Sequence, residues 1–179
     1  MSGTAERLLD LAEAHIRDRG YAGFSFRELA AEVGIKSASV HHHFPTKAAM
    51  AKAVAERYAK RFLASVEAKP DESPDDAIDA YRGAVRRTIQ QDGRMCLCGI
   101  LGAEAGALPP EVTAEVGSFF RRCIEDLAGR VRGPDAYARA HHVIATLEGG
   151  LILARACGDI GAFDRAASAL YPSTDGRVS

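Results

Sequence analysis

Between Lys36 and His43 the sequence KSASVHHH gathers hydroxyls, imidazoles and an ammonium around a single large aliphatic residue, Val40. Serine and histidine can each donate and accept a hydrogen bond, and lysine or arginine adds attraction for phosphate. Such groups suit the edges of nucleic-acid bases, which present donors and acceptors in fixed patterns, and the charged backbone that carries them. On a helix with Val40 turned inward, Ser37, Ser39, His41 and His42 face outward. His41, His42 and His43 also invite a reading as metal ligands. Successive helical residues lie about 100° apart, so three in a row cannot converge on one ion as an i, i+4 pair can, and no metal site is expected.

The remaining reactive side chains give less. His141-His142 repeats the adjacent spacing, and one of the two is expected to face inward as a satisfied core or interface histidine. Cys96, Cys98, Cys123 and Cys157 lack a CxxC pair and zinc-finger spacing, and read as reduced thiols. Cys96 and Cys98 point to different sides of a helix, a poor geometry for a mutual disulfide. They read as small apolar fillers beside Met95. The alternative is a thiol that lines a cavity and senses an electrophile or oxidant, for which Arg94 is the nearby cation that could favour the thiolate. There is no G-x-S-x-G, P-loop, HExxH or dinucleotide loop, and the spacing of Glu104, Glu148 and the cysteines asks for no site. Neither catalysis nor a cofactor is expected.

The polar stretch needs a scaffold, and the residues before it supply one. Ser25 can accept the amide of Glu28, whose carboxylate reaches back, while Phe24 can staple onto Leu29. Leu29 and Val33 then form one apolar face, Ala30 permits close helix approach, and Gly34 stands where a left-handed stop is wanted. Ile35 dips back toward the core, and a second helix starts at about Ser37. Two helices joined by a short turn containing Gly form a helix-turn-helix, whose second helix can lie in the major groove of DNA.

At these residues the chain resembles the tetracycline-repressor (TetR) family of bacterial transcriptional regulators, through Gly20-Tyr21, Ser25-Phe-Arg27-Glu-Leu-Ala30, Gly34-Ile35 and His43-Phe44-Pro45-Thr46-Lys47. The resemblance covers about the first 50 residues; beyond them the chain agrees in length and helical character only. It implies that Ser37, Ser39 and His41 stand where the family touches bases or phosphates, with Lys36 and His42 on the same helix. It further implies that Arg27 offers a basic group to the groove and that Lys47 clamps a phosphate. Two positions depart from the family pattern: Lys36 replaces a capping Ser, and His41 replaces the usual Tyr.

Composition agrees with a folded domain outside the membrane. The chain has 179 residues, 47% apolar and 26% charged, with neither a signal-peptide pattern nor an apolar run of 18 residues, so a cytoplasmic protein is expected. The formal net charge of −1 hides an asymmetry: residues 1–70 hold 11 Lys+Arg against 8 Asp+Glu (net +3), and residues 71–179 hold 12 against 16 (net −4). A basic N-terminal part suits phosphate contact, and an acidic remainder keeps the molecule off random polyanions.

An all-α chain of about nine helices is expected, with a helix-turn-helix head over 1–46 and an effector-binding and dimerisation body over 47–179. Thr4 caps a first helix ending at Gly20; Thr46 starts a long helix to about Lys69, with Met50, Val54, Tyr58, Phe62 and Val66 at steps of four. Lys69–Pro74 is a loop. Helices follow over about 75–91, 111–131, 135–157 and 160–170, with a short, buried, irregular helix within Gly93–Gly106 and a mobile polar tail from Pro172. The 133 residues of body argue against a purely architectural DNA binder.

The expected function is that of a ligand-responsive regulator, a repressor that binds a pseudo-palindromic operator as a homodimer. The effector cavity is expected among Phe62, Tyr81, Val85, Met95, Cys98, Phe119 and His142, which suits a small apolar or aromatic molecule. The dimer interface is expected on the last two helices, at Leu147, Gly149, Gly150, Leu151, Ala154, Phe163, Ala167 and Leu170. A small pivot of the long connecting helix would then spoil the spacing of the two heads on DNA.

Overall fold

The computed structural model describes residues 3–171. Among them the backbone forms α1 (Gly3–Arg19), α2 (Phe26–Val33), α3 (Ser37–His43), α4 (Lys47–Ser65), α5 (Pro74–Asp92), α6 (Leu97–Ala103), α7 (Pro110–Val131), α8 (Ala136–Cys157) and α9 (Ile160–Ser168), with short 3-10 turns at Tyr21–Gly23 and Ala105–Ala107. The all-α class and the nine helices are as expected; the tail from Pro172 lies outside the described residues. No described helix is long and apolar enough to cross a membrane.

Local chemistry moves three boundaries. Thr4 lies inside α1 and does not cap it. Helix α4 ends at Ser65, short of Lys69, and the carbonyl of Val66 just beyond accepts from Arg130 Nη1 at 2.6 Å. Helix α5 begins at Pro74, because Ser73 and Asp76 form a reciprocal capping box and proline is tolerated in a first helical turn.

By packing, the chain divides into two compact units, each built from separate stretches of sequence. The first unit runs through Leu63 and takes in Arg94–Arg121; the second comprises Ala64–Gly93 and the chain from Arg122 onward. Helix α4 stays with the head because its arginines meet acids of α1: Arg57 contacts Glu6, Asp10 and Glu13, and Arg61 contacts Glu13. Leu8, Leu9, Ile16, Phe24, Leu29, Val40, Met50 and Val54 are buried in this unit. A ring cluster continues it: Phe62 and Phe119 meet edge-on at 5.3 Å between centroids, with Tyr58 at 6.3 Å from Phe62 and Phe120 at 5.1 Å from Phe119.

In the second unit α8 packs along α9, and α5 packs against both. Ile78, Tyr81, Leu127, Leu147, Leu151 and Phe163 are fully buried. Arg130 draws this unit's polar groups together, pairing with Glu72 at 2.7 Å and Asp126 at 2.8 Å, while Tyr81 donates its hydroxyl hydrogen to Asp126 at 2.8 Å.

Candidate nucleic-acid interface

Helix α2 is set by its ends. Ser25 Oγ accepts the Glu28 amide at 3.2 Å, and the Glu28 carboxyl is held below the usual range chiefly by the Ser25 hydroxyl. At the other end Gly34 adopts φ 78°, and the amides of Gly34 and Ile35 both return to the Ala30 carbonyl, at 3.0 and 2.9 Å. This closed turn sets the course of α3 relative to α2. Lys36 sits at the N-cap of α3, where its ammonium, a donor only, cannot cap the helix amides, and its side chain is exposed.

Val40 is fully buried, and it divides α3 as the sequence implied. Lys36, Ser39, His41 and His42 are exposed, Ser37 is half-buried, and Arg27 is exposed on α2. The His41 ring is steadied by Phe26, edge-on at 4.8 Å, a contact that adjacent numbering does not suggest. His42 and His43 rings lie 5.6 Å apart. Among the described residues no group of three metal-ligating side chains occurs.

Lys47 stands differently from the expectation of an outward phosphate clamp. Its Nζ donates to the Phe24 carbonyl at 2.7 Å and lies over the Tyr21 and Phe24 rings, at 4.8 and 4.5 Å from their centroids. Burial lowers its pKa, while the nearby carboxylates Glu28 and Glu104 act the other way. The ammonium therefore holds the α1–α2 connection.

The residues expected around an effector divide between the units. Phe62, Met95, Cys98 and Phe119 are buried in the first; Tyr81 and Val85 are buried in the second, where α7 takes up the Tyr81 hydroxyl. His142 is exposed, and so is His141, so the expected inward turn of one histidine is corrected. The buried stripe of α8 is Ala140, Val143, Leu147, Gly150, Leu151 and Ala154, and its spacing leaves positions 141 and 142 outside. Cys96 caps α6 by accepting the Gly99 amide at 3.4 Å, while Arg94 pairs with Asp18. Cys123 is buried, and its thiol is pushed up to about 12, first by burial and then by Glu148 and Asp126.

The expected dimer surface needs correction too. Leu147, Gly150, Leu151, Ala154, Phe163, Ala167 and Leu170 are all buried within the single chain. A Cβ on Gly150 would lie 3.1 Å from Phe163 Cδ2, whereas one on Gly149 would meet open space. Among the described residues the large apolar side chains left outside are Tyr137, Ile152, Leu153 and Ile160, at 61, 56, 51 and 36% exposure.

Comparison with known proteins decides the family. Residues 8–54 match the model described as bacterial regulatory proteins, tetR family. A TetR transcriptional regulator from Legionella pneumophila superposes with a TM-score of 0.88 at 30% identity, covering 95% of this chain and 96% of that one. The chain belongs to the TetR family of transcriptional regulators. A TetR-family regulator from Agrobacterium tumefaciens gives 0.85 at 29% identity, covering 93% and 95%. A regulatory protein TetR from Rhodobacter sphaeroides shares the fold at 0.85 with 20% identity, covering 94% and 97%. No curated protein sequence matches the chain. The matched span contains α2 and α3, the two helices built above from caps, turn and buried valine.

Proposed function

We propose that this TetR-family regulator is a cytoplasmic repressor that holds a pseudo-palindromic operator as a homodimer and lets it go when a small apolar or aromatic effector binds. The observation that carries the DNA reading is the outward face of α3: Lys36, Ser39, His41 and His42 exposed around buried Val40, with Arg27 also exposed on α2. Serine and histidine supply donors and acceptors for base edges, and the cations supply phosphate attraction.

Dimerisation is supported by the exposed apolar residues Tyr137, Ile152 and Leu153 on α8 and Ile160 at the start of α9, together with the open space beside Gly149. A second copy of this chain would cover that face about a two-fold axis, and two heads would meet two half-sites. The effector reading is supported in the first unit, whose buried apolar residues include the paired Phe62 and Phe119 rings, Met95 and Cys98. The position of α4, which carries Phe62 near one end and Lys47 at the other, supports it as the element an effector would bias.

The test is a binding titration of purified protein against the duplex upstream of its own gene and against random duplex, at several salt concentrations. Preferential binding that weakens steeply with salt is expected. Equal affinity for both duplexes would refute the DNA reading.

A further inference from the structure

The segment joining α1 to α2 is short, and charged side chains from outside the helix-turn-helix hold it at both ends. Glu104, at the C-terminal end of α6, accepts the Tyr21 amide on Oε2 at 2.8 Å. Its Oε1 occupies the space beside Gly20: a Cβ there would stand 1.9 Å from that oxygen, and Gly20 has φ 75°. Only glycine suits this position, through both the positive φ and the close carboxylate. At the other end of residues 21–24 Lys47 donates to the Phe24 carbonyl. Phe24 immediately precedes the Ser25 cap, so residues 21–24 enter α2 between a fixed carboxylate and a fixed ammonium.

The base of this grip is itself fixed. Arg17, buried on α1, donates through Nε to the Met95 carbonyl at 2.8 Å, and Arg94 Nε contacts both Asp18 oxygens, at 3.1 and 3.0 Å. The chain thus meets α1 just ahead of α6 and meets the α1–α2 connection at the residue that caps the end of α6. Between these anchors LCGILGA offers apolar packing and no charge, which leaves Glu104 as the group that can hold the Tyr21 amide.

We propose that Glu104 is a positioning residue for DNA binding: without touching DNA, its carboxylate fixes the entry of α2 and thereby the angle at which α3 is presented. This inference rests on the DNA reading above.

The experiment compares wild type with E104A and E104Q by amide hydrogen exchange of the free protein and by binding to the upstream duplex across salt concentrations. Loss of a hydrogen bond to a charged acceptor predicts about tenfold faster exchange at Tyr21 and about tenfold weaker DNA binding for E104A. The salt slope should not change, because no phosphate contact is removed. Glutamine keeps an acceptor oxygen, so E104Q should recover most of both effects. The proposal is overturned if E104A matches wild type in Tyr21 exchange and affinity, if it binds DNA more tightly as mere removal of a negative charge would produce, or if E104Q is no better than E104A. A wild type that ignores the upstream duplex overturns the DNA reading itself, whereas the exchange of Tyr21 tests the grip independently of DNA.

Discussion

Helices α3 and α8 both carry residues that matter through what they leave outside, and the two differ in how that face is chosen. Helix α3 has one buried residue, Val40, among polar neighbours, so turning it inward leaves only one arrangement for Ser39, His41 and His42. Helix α8 is apolar on more than one side: Leu147, Leu151 and Ala154 go inward against α9, while Ile152 and Leu153 remain outside. A helix with a single apolar stripe announces its orientation. One with two such stripes does not, and only its partner decides which stripe is core.

The largest effect should come from attacking the stripe that α9 claims. Phe163→Ala removes a fully buried ring from between α8 and α9 and should cost about 3–5 kcal/mol in denaturant unfolding. A loss below about 1 kcal/mol would mean that this pair is not packed within the chain. Leu153→Glu attacks the other stripe. It should weaken the dimer by at least about thirtyfold in sedimentation while leaving a folded monomer. If Leu153→Glu stays dimeric, the outer face of α8 is not the interface.

On α3 the expectation reverses, with binding affected and stability spared. Lys36→Ala should leave unfolding within about 0.5 kcal/mol of wild type, since its side chain is exposed and caps nothing. It should nevertheless lower DNA affinity and reduce the salt slope by about 1. An unchanged slope would take Lys36 off the phosphate backbone. The smallest effect belongs to the Ser25 cap of α2, the helix before α3. The depressed Glu28 pKa implies a stabilising contribution present above the carboxylate range and lost as pH falls through that lowered value. In an NMR titration Ser25→Ala should move the Glu28 midpoint upward; an unmoved midpoint would deny the reciprocal cap.

What could be read from the sequence followed the range of the interactions. The Ser25 cap, the Gly34 stop and buried Val40 act within a turn or two, and each is visible as a residue type at a fixed spacing. The roles of Lys47 and Glu104 are not, because Phe24 lies 23 residues from one and Tyr21 lies 83 from the other. A lysine after a helix-turn-helix looks like a phosphate ligand until the Phe24 carbonyl is seen beneath it. The expected effector set suffered in the same way. Residues such as Tyr81 and His142 satisfy an apolar or aromatic criterion, yet one spends its hydroxyl on Asp126 and the other faces outward. The Ser73–Asp76 capping box was legible in principle, since a serine three residues before an acid flanks a proline, and it would have placed the α5 boundary correctly.

The central claim is that the outward face of α3 reads base sequence. Wild type and Ser39→Ala should each be used to select sites from a library of random duplexes, with bound sequences determined for both. The account predicts a two-half-site sequence for wild type, and for Ser39→Ala a changed or relaxed base preference at matching positions of each half-site with the same salt slope. Identical selected sequences for the two proteins, or no sequence enriched by wild type, would contradict it.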